Sequence, residues 1–312
     1  MNHGNKQLGR QRSGLGTAGG VTAVCIWSLT APIVASAVGV NPFLYVGLGD
    51  GVGALVFLLL WVVRRHNPLP ELRRVPLWLY ALGVIGIGGH NLTWVAALQQ
   101  APPLEATLII YTWPLLVVVL TTITLGQRFR WFHAVAGVLG LAGIVALLLG
   151  KGLSVGTFEL MRGHFWAVIS AVTWAVFSAM AARYPSSSSN FLGVIFFMSA
   201  LINGSIWLMI GAPPAPTTSL LIVGISSVVF ALAYAMWDFG MKQGNAQLVG
   251  VVSFLTPVLT AVYLVALGMA ELTPYLFFSL TLVVFGIAIA KYGDRLQLPQ
   301  KASAYFRNKI AP

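Results

Sequence analysis

Apolar segments about 20 residues long recur along the whole chain, and they restrict its fold more than any other feature. A helix needs about 20 apolar residues to cross a bilayer core. Ten such stretches are separated by short connections: 17–38, 43–63, 77–98, 104–125, 131–149, 163–183, 191–210, 218–240, 247–267 and 274–291. With 58% hydrophobic and 8% charged residues, the chain cannot cover a soluble surface. We predict an all-α integral membrane protein, and we number these stretches as the first to tenth spans.

The basic residues predict the orientation of these spans. Sixteen of the 18 Lys and Arg residues lie in the tails and connections on one side of the predicted membrane, and only Lys151 and Arg162 lie on the other. The positive-inside rule then places both termini in the cytoplasm, with an N-terminal arm over 1–16 and a C-terminal tail over 292–312. The apolar run of the first span is too long for a secretory signal, so we expect this span to be retained.

The chain contains an internal repeat. A shift of 143 residues aligns the third to fifth spans with the eighth to tenth, and a shift of 147 aligns the first with the sixth. The matched pairs include Trp94 with Trp237, Pro114 with Pro257, and Trp27 with Trp174. Each half, 17–149 and 163–291, holds an odd number of helices, five, so the halves enter the membrane from opposite sides. Inverted repeats of this kind are typical of transporters, with the substrate site at the repeat interface.

His90 lies about fourteen residues into the third span. An ionisable group at that depth is costly and usually faces a cavity or a partner. Thr93 and Trp94 follow at i+3 and i+4, so the three side chains share one helix face. One interpretation is that His90 belongs to a binding site. The alternative is that it is neutral, hydrogen-bonded and only packs against a neighbouring helix.

The fourth span carries Tyr111-Thr112-Trp113-Pro114. A proline inside a helix removes a backbone hydrogen bond and bends the chain, and broken helices line transporter sites. Tyr111 and Trp113 are two residues apart, so in a straight helix they point to nearly opposite faces. Both reach one cavity only if the helix is distorted near Pro114; otherwise one of them packs against a neighbour.

Further candidates lie in the middle of other spans. Trp27 and Trp174 are several residues from the predicted interfaces, which favours a cavity wall or packing over an interfacial belt. Asp50 is the deepest acid, and with His90 it is a candidate for coupling transport to protons. Tyr234 and Trp237 lie towards the cytoplasmic end of the eighth span, so we give them less weight.

The motifs of several enzyme classes are absent from the sequence. It has no HExxH or GxxxxGK[ST] string, so it gives no support to metalloprotease or P-loop chemistry. It has no cysteine and histidine cluster to hold a metal. We expect a protein that is not an enzyme, with no cofactor, no metal and no nucleic-acid partner. Its partners would be the lipid bilayer and a small-molecule substrate, and we expect a monomer.

The ten spans in two halves, with the Trp27, Pro114 and Pro257 pattern, resemble the drug/metabolite transporter superfamily of EamA type. Within it, His90 followed by the 101–106 segment and by Tyr111-Thr112-Trp113-Pro114 is similar to the aromatic amino acid exporter branch. The resemblance implies that His90, Tyr111, Trp113 and Trp174 line a central substrate cavity. Where relatives carry further aromatic residues beside the histidine, this chain has Gly89 and Thr93, and Trp94 can replace part of that surface.

These observations predict an exporter of amino acids or related small metabolites, including aromatic amino acids, in the bacterial inner membrane. The expected mechanism is alternating access around a cavity between the two repeats. Two alternatives stay open: a transporter of another small metabolite, and an intramembrane enzyme or sensor that uses the same cavity. The predicted substrate-binding residues are His90, Tyr111, Trp113, Trp174, Trp94 and Trp27, with Asp50 and His90 as candidates for coupling.

Overall fold

A computed structural model describes residues 3–29, 33, 37, 39–101, 103–150, 161–185 and 187–293, with the side chains of 3–12 and 103–104 left out. In this part of the chain nine helices are long and apolar enough to cross a membrane. They are Pro42–Val63, Leu77–Gln100, Glu105–Thr124, Trp131–Leu149, Arg162–Arg183, Phe191–Ile210, Thr217–Gln243, Ala246–Ala266 and Pro274–Tyr292. They correspond to the predicted second to tenth spans.

The first helix differs from its prediction. It begins at His3, well before the expected start at residue 17, and ends at Trp27. Its apolar part, Ser13–Trp27, is shorter than the other nine spans. Most of the rest of the predicted first span, which was expected to continue to residue 38, lies outside the described residues.

Three spans are not continuous α-helices. The third contains a π-helical turn at Val84–Gly89, directly before His90. The fourth is divided into Pro103–Ile110 and Trp113–Thr124, and the ninth into Ala246–Val252 and Leu255–Ala266. Each division comes about three residues before a proline, Pro114 or Pro257, because a proline has no N–H for the carbonyl one turn earlier.

Glycines allow the helices of the two halves to approach closely. A Cβ on Gly143 would meet Ser279 and Val283, and a Cβ on Gly286 would meet Ala136 and Leu139. Ala136 and Ser279, like Gly143 and Gly286, are separated by 143 residues in the sequence. The fifth and tenth spans therefore make the same contact in both directions, as expected for two elements related by a twofold axis.

The same reciprocity holds at the end of the third and eighth spans. A Cβ on Gly16 would meet the backbone of Gly244, and a Cβ on Gly163 would meet the backbone of Ala101. Gly16 and Gly163 are the pair aligned by the shift of 147, while Ala101 and Gly244 are aligned by the shift of 143. Each half thus packs its first helix against the end of the other half's third helix.

The outer surface of the bundle is apolar. On the second span Leu55, Leu58, Leu59 and Val62 are all at least half exposed. An exposed apolar surface of this extent is unfavourable in water and suits contact with lipid. The polar side chains at depth, by contrast, point inwards between the helices, where a cavity opens.

Candidate functional site

A cavity of about 160 Å³ lies between the spans. Its wall is formed by Trp27, Tyr45, Val46, Gly49, Asp50, Gly53, His90, Asn91, Trp94, Val95, Ile110, Tyr111, Trp113, Trp174, Phe196, Ser227, Phe230, Ala231, Tyr234 and Thr256. All seven residues that the sequence singled out for binding or coupling are among them. The wall is mostly aromatic and aliphatic, with a few polar groups, which is the usual composition of a small-molecule site.

His90 is held by the sixth span. Its Nδ1 lies 2.9 Å from the carbonyl oxygen of Ser170 and 2.9 Å from the hydroxyl of the same residue. A carbonyl oxygen can only accept a hydrogen bond, so we assign the proton of the neutral ring to Nδ1. Nε2 is then the unprotonated nitrogen, and its lone pair can accept a hydrogen bond. Trp174, whose ring centre is 5.5 Å away, packs beside the imidazole.

Tyr111 and Trp113 reach the same cavity because the fourth span is broken between them. Tyr111 and Thr112 form a turn, and a new helix begins at Trp113 with Pro114 in its first turn. Because of this turn, the two side chains no longer point to nearly opposite faces, as they would in a straight helix. The fourth span is therefore distorted near Pro114, as the sequence analysis required for both side chains to reach one cavity.

Four tryptophans pack together along one side of the cavity, and we call Trp27, Trp113, Trp174 and Trp237 the tryptophan cluster. The centroid distance is 5.4 Å between Trp27 and Trp174 and 5.6 Å between Trp113 and Trp237. Most of the pairs are close to edge-on, an arrangement that aromatic rings favour. Trp237 does not line the cavity: it is buried behind the other three and donates from Nε1 to Ser178 Oγ at 3.1 Å.

Tyr234 belongs to the wall, although we gave it little weight from the sequence. Its ring lies 5.3 Å from Trp27 and 5.4 Å from Phe196, and its hydroxyl donates to Asn91 Oδ1 at 3.1 Å. The eighth helix runs from Thr217 to Gln243, beyond the predicted end at residue 240, so Tyr234 lies farther from its end than we placed it. Its alignment with Asn91 by the shift of 143 was the signal that could have identified it.

Asp50 is buried in the wall of the cavity at 5% exposure. Its Oδ2 accepts a hydrogen bond from the Ser199 hydroxyl. Ser199 is itself held by Asn203, whose Nδ2 lies 3.0 Å from the Ser199 carbonyl oxygen and 3.2 Å from its hydroxyl. The seventh span thus fixes the orientation of this carboxylate.

Two further polar atoms at the cavity lack partners. Trp27 Nε1 and Thr256 Oγ1 are buried and make no hydrogen bond within the part of the chain that the structure describes. Unsatisfied buried donors are rare in native proteins and need an explanation. Both residues line the cavity, but these two atoms are themselves buried and are not open to a molecule inside it.

The site has the chemistry of binding. In the described ranges, no group of three or more His, Cys, Asp or Glu side chains is arranged to hold a metal. The wall contains one carboxylate and one imidazole, with hydroxyl, amide and indole groups placed between aromatic rings. Such a wall can hold a small molecule with an aromatic or aliphatic body and a polar end.

The fold and the site define a multi-pass helical membrane protein with a small-molecule cavity among its spans. The chain belongs to the EamA-like transporter family, which it matches over residues 14–149 and 161–292. It is therefore a membrane transporter. The two matched stretches cover both halves of the internal repeat.

Relatives with similar sequences are known over most of the chain. The aromatic amino acid exporter YddG of Ancylobacter novellus is 32% identical over 87% of this chain and 95% of its own length. The protein of the same name from Escherichia coli is 26% identical over 86% of this chain and 93% of its own. A solved crystal structure with 30% identity superposes with a TM-score of 0.81 and covers 91% of this chain and 99% of that one.

Proposed function

We propose that this protein exports amino acids, including aromatic ones, across the bacterial inner membrane. The observation that carries the proposal is the cavity, which brings together the seven side chains named from the sequence among aromatic walls. The names of the similar exporters from Ancylobacter novellus and Escherichia coli support the same substrate class. In this proposal a monomer binds its substrate without making or breaking bonds.

The substrate's side chain would lie against Trp27, Trp94, Trp113 and Trp174, since aromatic rings pack favourably with one another. His90 Nε2 and the Tyr111 hydroxyl would form hydrogen bonds with the polar end of the substrate. Asp50 and His90 remain the candidates for proton coupling.

We further propose ten spans in two inverted five-helix repeats, with the cavity on the pseudo-twofold axis. Residues that contact their own repeat equivalents lie near a twofold axis. Two such pairs occur in the cavity wall: Trp27 with Trp174, 5.4 Å apart between ring centres, and Asn91 with Tyr234, 3.1 Å apart between Oδ1 and the hydroxyl. The reciprocal glycine contacts of the fifth and tenth spans support the same axis. This arrangement places the substrate between the two halves.

We also propose that both termini are cytoplasmic and that the cavity faces away from the cytoplasm in this structure. In the second, third and fourth spans its lining residues come from the half opposite the basic connections, as with Tyr45 near the start of Pro42–Val63. On the cytoplasmic side the ends of the sixth and eighth spans pack closely: Trp237 Nε1 donates to Ser178 Oγ at 3.1 Å, and Lys242 Nζ donates to the Ser187 carbonyl oxygen at 3.0 Å. In alternating access this is the arrangement from which an exporter releases substrate.

Efflux of labelled phenylalanine from proteoliposomes, with and without a pH gradient, tests the proposal. We expect saturable efflux that His90→Ala reduces about tenfold to hundredfold, because a lost hydrogen bond to a charged group costs about 1.5–3 kcal/mol. His66→Ala is the matched control, since His66 lies outside the spans and is partly exposed. A gradient that accelerates efflux would support proton coupling.

Two outcomes would contradict this proposal. Normal efflux by His90→Ala would remove His90 from the site. Absence of phenylalanine efflux by correctly inserted protein would exclude this substrate, and a panel of other small metabolites would then be assayed in the same vesicles.

A further inference from the structure

The carboxylate of Asp50 stands out among the polar groups of the cavity because the protein satisfies only part of it. An ionised carboxylate has about four acceptor positions. Ser199 supplies one donor, to Oδ2, and in the described ranges no side chain or backbone group donates to Oδ1. Oδ1 is also not fully buried. It has no hydrogen-bond donor, yet it is not one of the fully buried side-chain atoms without a partner in the described ranges.

Among the residues that the structure describes, the cavity offers this carboxylate no cation. Its wall contains neither lysine nor arginine. The one basic group, His90, directs Nδ1 to Ser170. Buried carboxylates are normally paired with a cation or neutralised, because an isolated charge in a medium of low dielectric constant is costly. Among the described residues, no positive charge balances the carboxylate of Asp50. A positively charged ligand could do so.

Aromatic rings line the cavity beside the second span, which carries Asp50. Gly49 and Gly53 flank Asp50 on the second span, and the position of a Cβ on Gly53 lies 3.2 Å from the ring of Phe196. Phe196 in turn contacts Tyr234, with 5.4 Å between the ring centres. Tyr45 lies five residues before Asp50 on the second span and also lines the cavity. Faces of aromatic rings attract cations, and an aromatic cage is a common binding site for ammonium groups.

We propose that Asp50 binds the ammonium group of the substrate and makes this transporter select molecules that carry a free, protonated amine. The inference rests on the proposed function, which it narrows to amine-bearing substrates. The ammonium donates to Oδ1, balances the charge of the carboxylate and lies among the rings of Tyr45, Phe196 and Tyr234. With one carboxylate in the wall, the site takes one ammonium.

Three phenyl compounds that differ only in their charged groups test the proposal: phenylalanine, phenethylamine and 3-phenylpropionate. Their binding to the purified full-length protein can be followed by tryptophan fluorescence, since Trp27, Trp94, Trp113 and Trp174 all line the cavity. We expect phenethylamine to bind at least about tenfold more tightly than 3-phenylpropionate, as charge-assisted hydrogen bonds are roughly twice as strong as neutral ones. Equal affinity of these two compounds would overturn the proposal.

Substitutions at Asp50 test whether this carboxylate causes the preference for amine-bearing compounds. We expect Asp50→Asn to weaken phenylalanine and phenethylamine binding about tenfold to hundredfold and to leave 3-phenylpropionate unchanged or tighter. Asp50→Glu keeps the charge and is expected to keep the preference for amines. Glu271→Gln, an acid-to-amide change at an exposed position outside the spans, is the matched control. Phenethylamine binding by Asp50→Asn at the wild-type affinity would refute the role of Asp50.

The two proposals fail separately. Saturable phenethylamine binding that depends on Asp50, without phenylalanine efflux, would refute the proposed export of phenylalanine and keep the ammonium site. Phenylalanine efflux that Asp50→Asn leaves unchanged would keep the proposed function and refute the ammonium site. If Asp50→Asn does not fold, the affinities of the wild-type protein and of Asp50→Glu decide the question.

Discussion

Two aspartates are buried in the part of the chain that the structure describes, and their surroundings are different. Asp50 and Asp238 are each no more than 5% exposed, and the Oδ2 of each accepts a hydrogen bond from a serine hydroxyl, Ser199 or Ser189. Asp238 also has a cation, Lys242 Nζ, at 2.8 Å on the next turn of the same helix. The position four residues after Asp50 is Ala54. Burial alone therefore does not distinguish an acid that binds a ligand from one that holds helices together.

The charges of Asp238 and Lys242 balance each other within the protein, while Asp238 Oδ1 is buried without a hydrogen-bond partner in the described residues. Lys242 Nζ donates to the carbonyl oxygen of Ser187 at 3.0 Å and lies 4.4 Å from the centre of the Phe191 ring. These contacts join the end of the eighth span to the connection between the sixth and seventh. Neither charged residue lines the cavity. We interpret this pair as structural and Asp50 as the acid available to a ligand.

The largest effect that we expect is on folding, from Lys242→Met. The substitution leaves the carboxylate of Asp238 buried without a cation, and breaking a buried pair in this way typically costs about 3–5 kcal/mol. The measurement is the midpoint of thermal unfolding in detergent, compared with Lys291→Met, which removes a lysine from an exposed position.

Combining Lys242→Met with Asp238→Asn sharpens the comparison, because the double variant has no unpaired charge. We expect it to recover a large part of the lost stability, since replacing both members of a buried pair is often close to neutral. Equal unfolding midpoints for Lys242→Met and Lys291→Met would show that the pair holds nothing together. The structural interpretation would then be wrong.

A smaller effect is expected from Gly88→Ala in the π-helical turn. A Cβ at this position would collide with the hydroxyl of Ser199, the group that orients Asp50. We expect a loss of about 1–3 kcal/mol of stability, as for other overpacked sites, and weaker phenethylamine binding by the folded fraction. Gly89→Ala is the matched control, because the nearest atom to its Cβ would be 3.9 Å away. Equal behaviour of the two variants would show that Ser199 does not position the carboxylate.

The smallest effect is expected at Glu71, a partly exposed carboxylate outside the spans. Hydrogen bonds from Ser188 and Asn190, with the nearby His66, lower the pKa of Glu71 below its usual value, against a smaller opposing contribution from burial. A pKa that is lower in the folded protein adds stability above the unfolded pKa of about 4.3, and this stability is lost as the pH falls through the folded pKa. Because exposed pairs are screened by solvent, we expect Glu71→Gln to cost at most about 1 kcal/mol at pH 7.

Thermal unfolding of Glu71→Gln and of the wild-type protein at pH 7 and at acid pH checks this prediction. The difference between them should shrink as the pH falls, while Glu271→Gln should show little difference at either pH. A difference that grows at acid pH would mean that Glu71 does not stabilise the fold through its charge.

Much of the fold could be predicted from local features of the sequence. Nine of the ten predicted spans are present with ends that differ by at most a few residues, because the length of an apolar stretch decides whether it can cross a bilayer. The breaks in the fourth and ninth spans follow from Pro114 and Pro257, whose missing N–H acts within one turn. The π-helical turn before His90 had no comparable signal.

The candidate site was predicted in part. His90, Trp27, Trp174 and Asp50 were selected because polar and aromatic groups at depth in a membrane span are unusual. Tyr234 received too little weight because its depth depends on how the eighth helix is placed among its neighbours. The pairing of Asp238 with Lys242 has a sequence signal, the i,i+4 spacing of opposite charges, but their burial does not.

By itself, therefore, the sequence determined the extent of nine spans, the proline breaks in two of them, and the residues that are costly to bury in a membrane. Hydropathy and proline act over one or a few helical turns, so a linear reading suffices for them. Only the tertiary structure decided which costly residues are satisfied by the protein. Ser199 lies 149 residues from Asp50, and Ser170 lies 80 residues from His90. Partners at such separations are brought together by helix packing alone, and the cavity between them is a property of the assembled bundle.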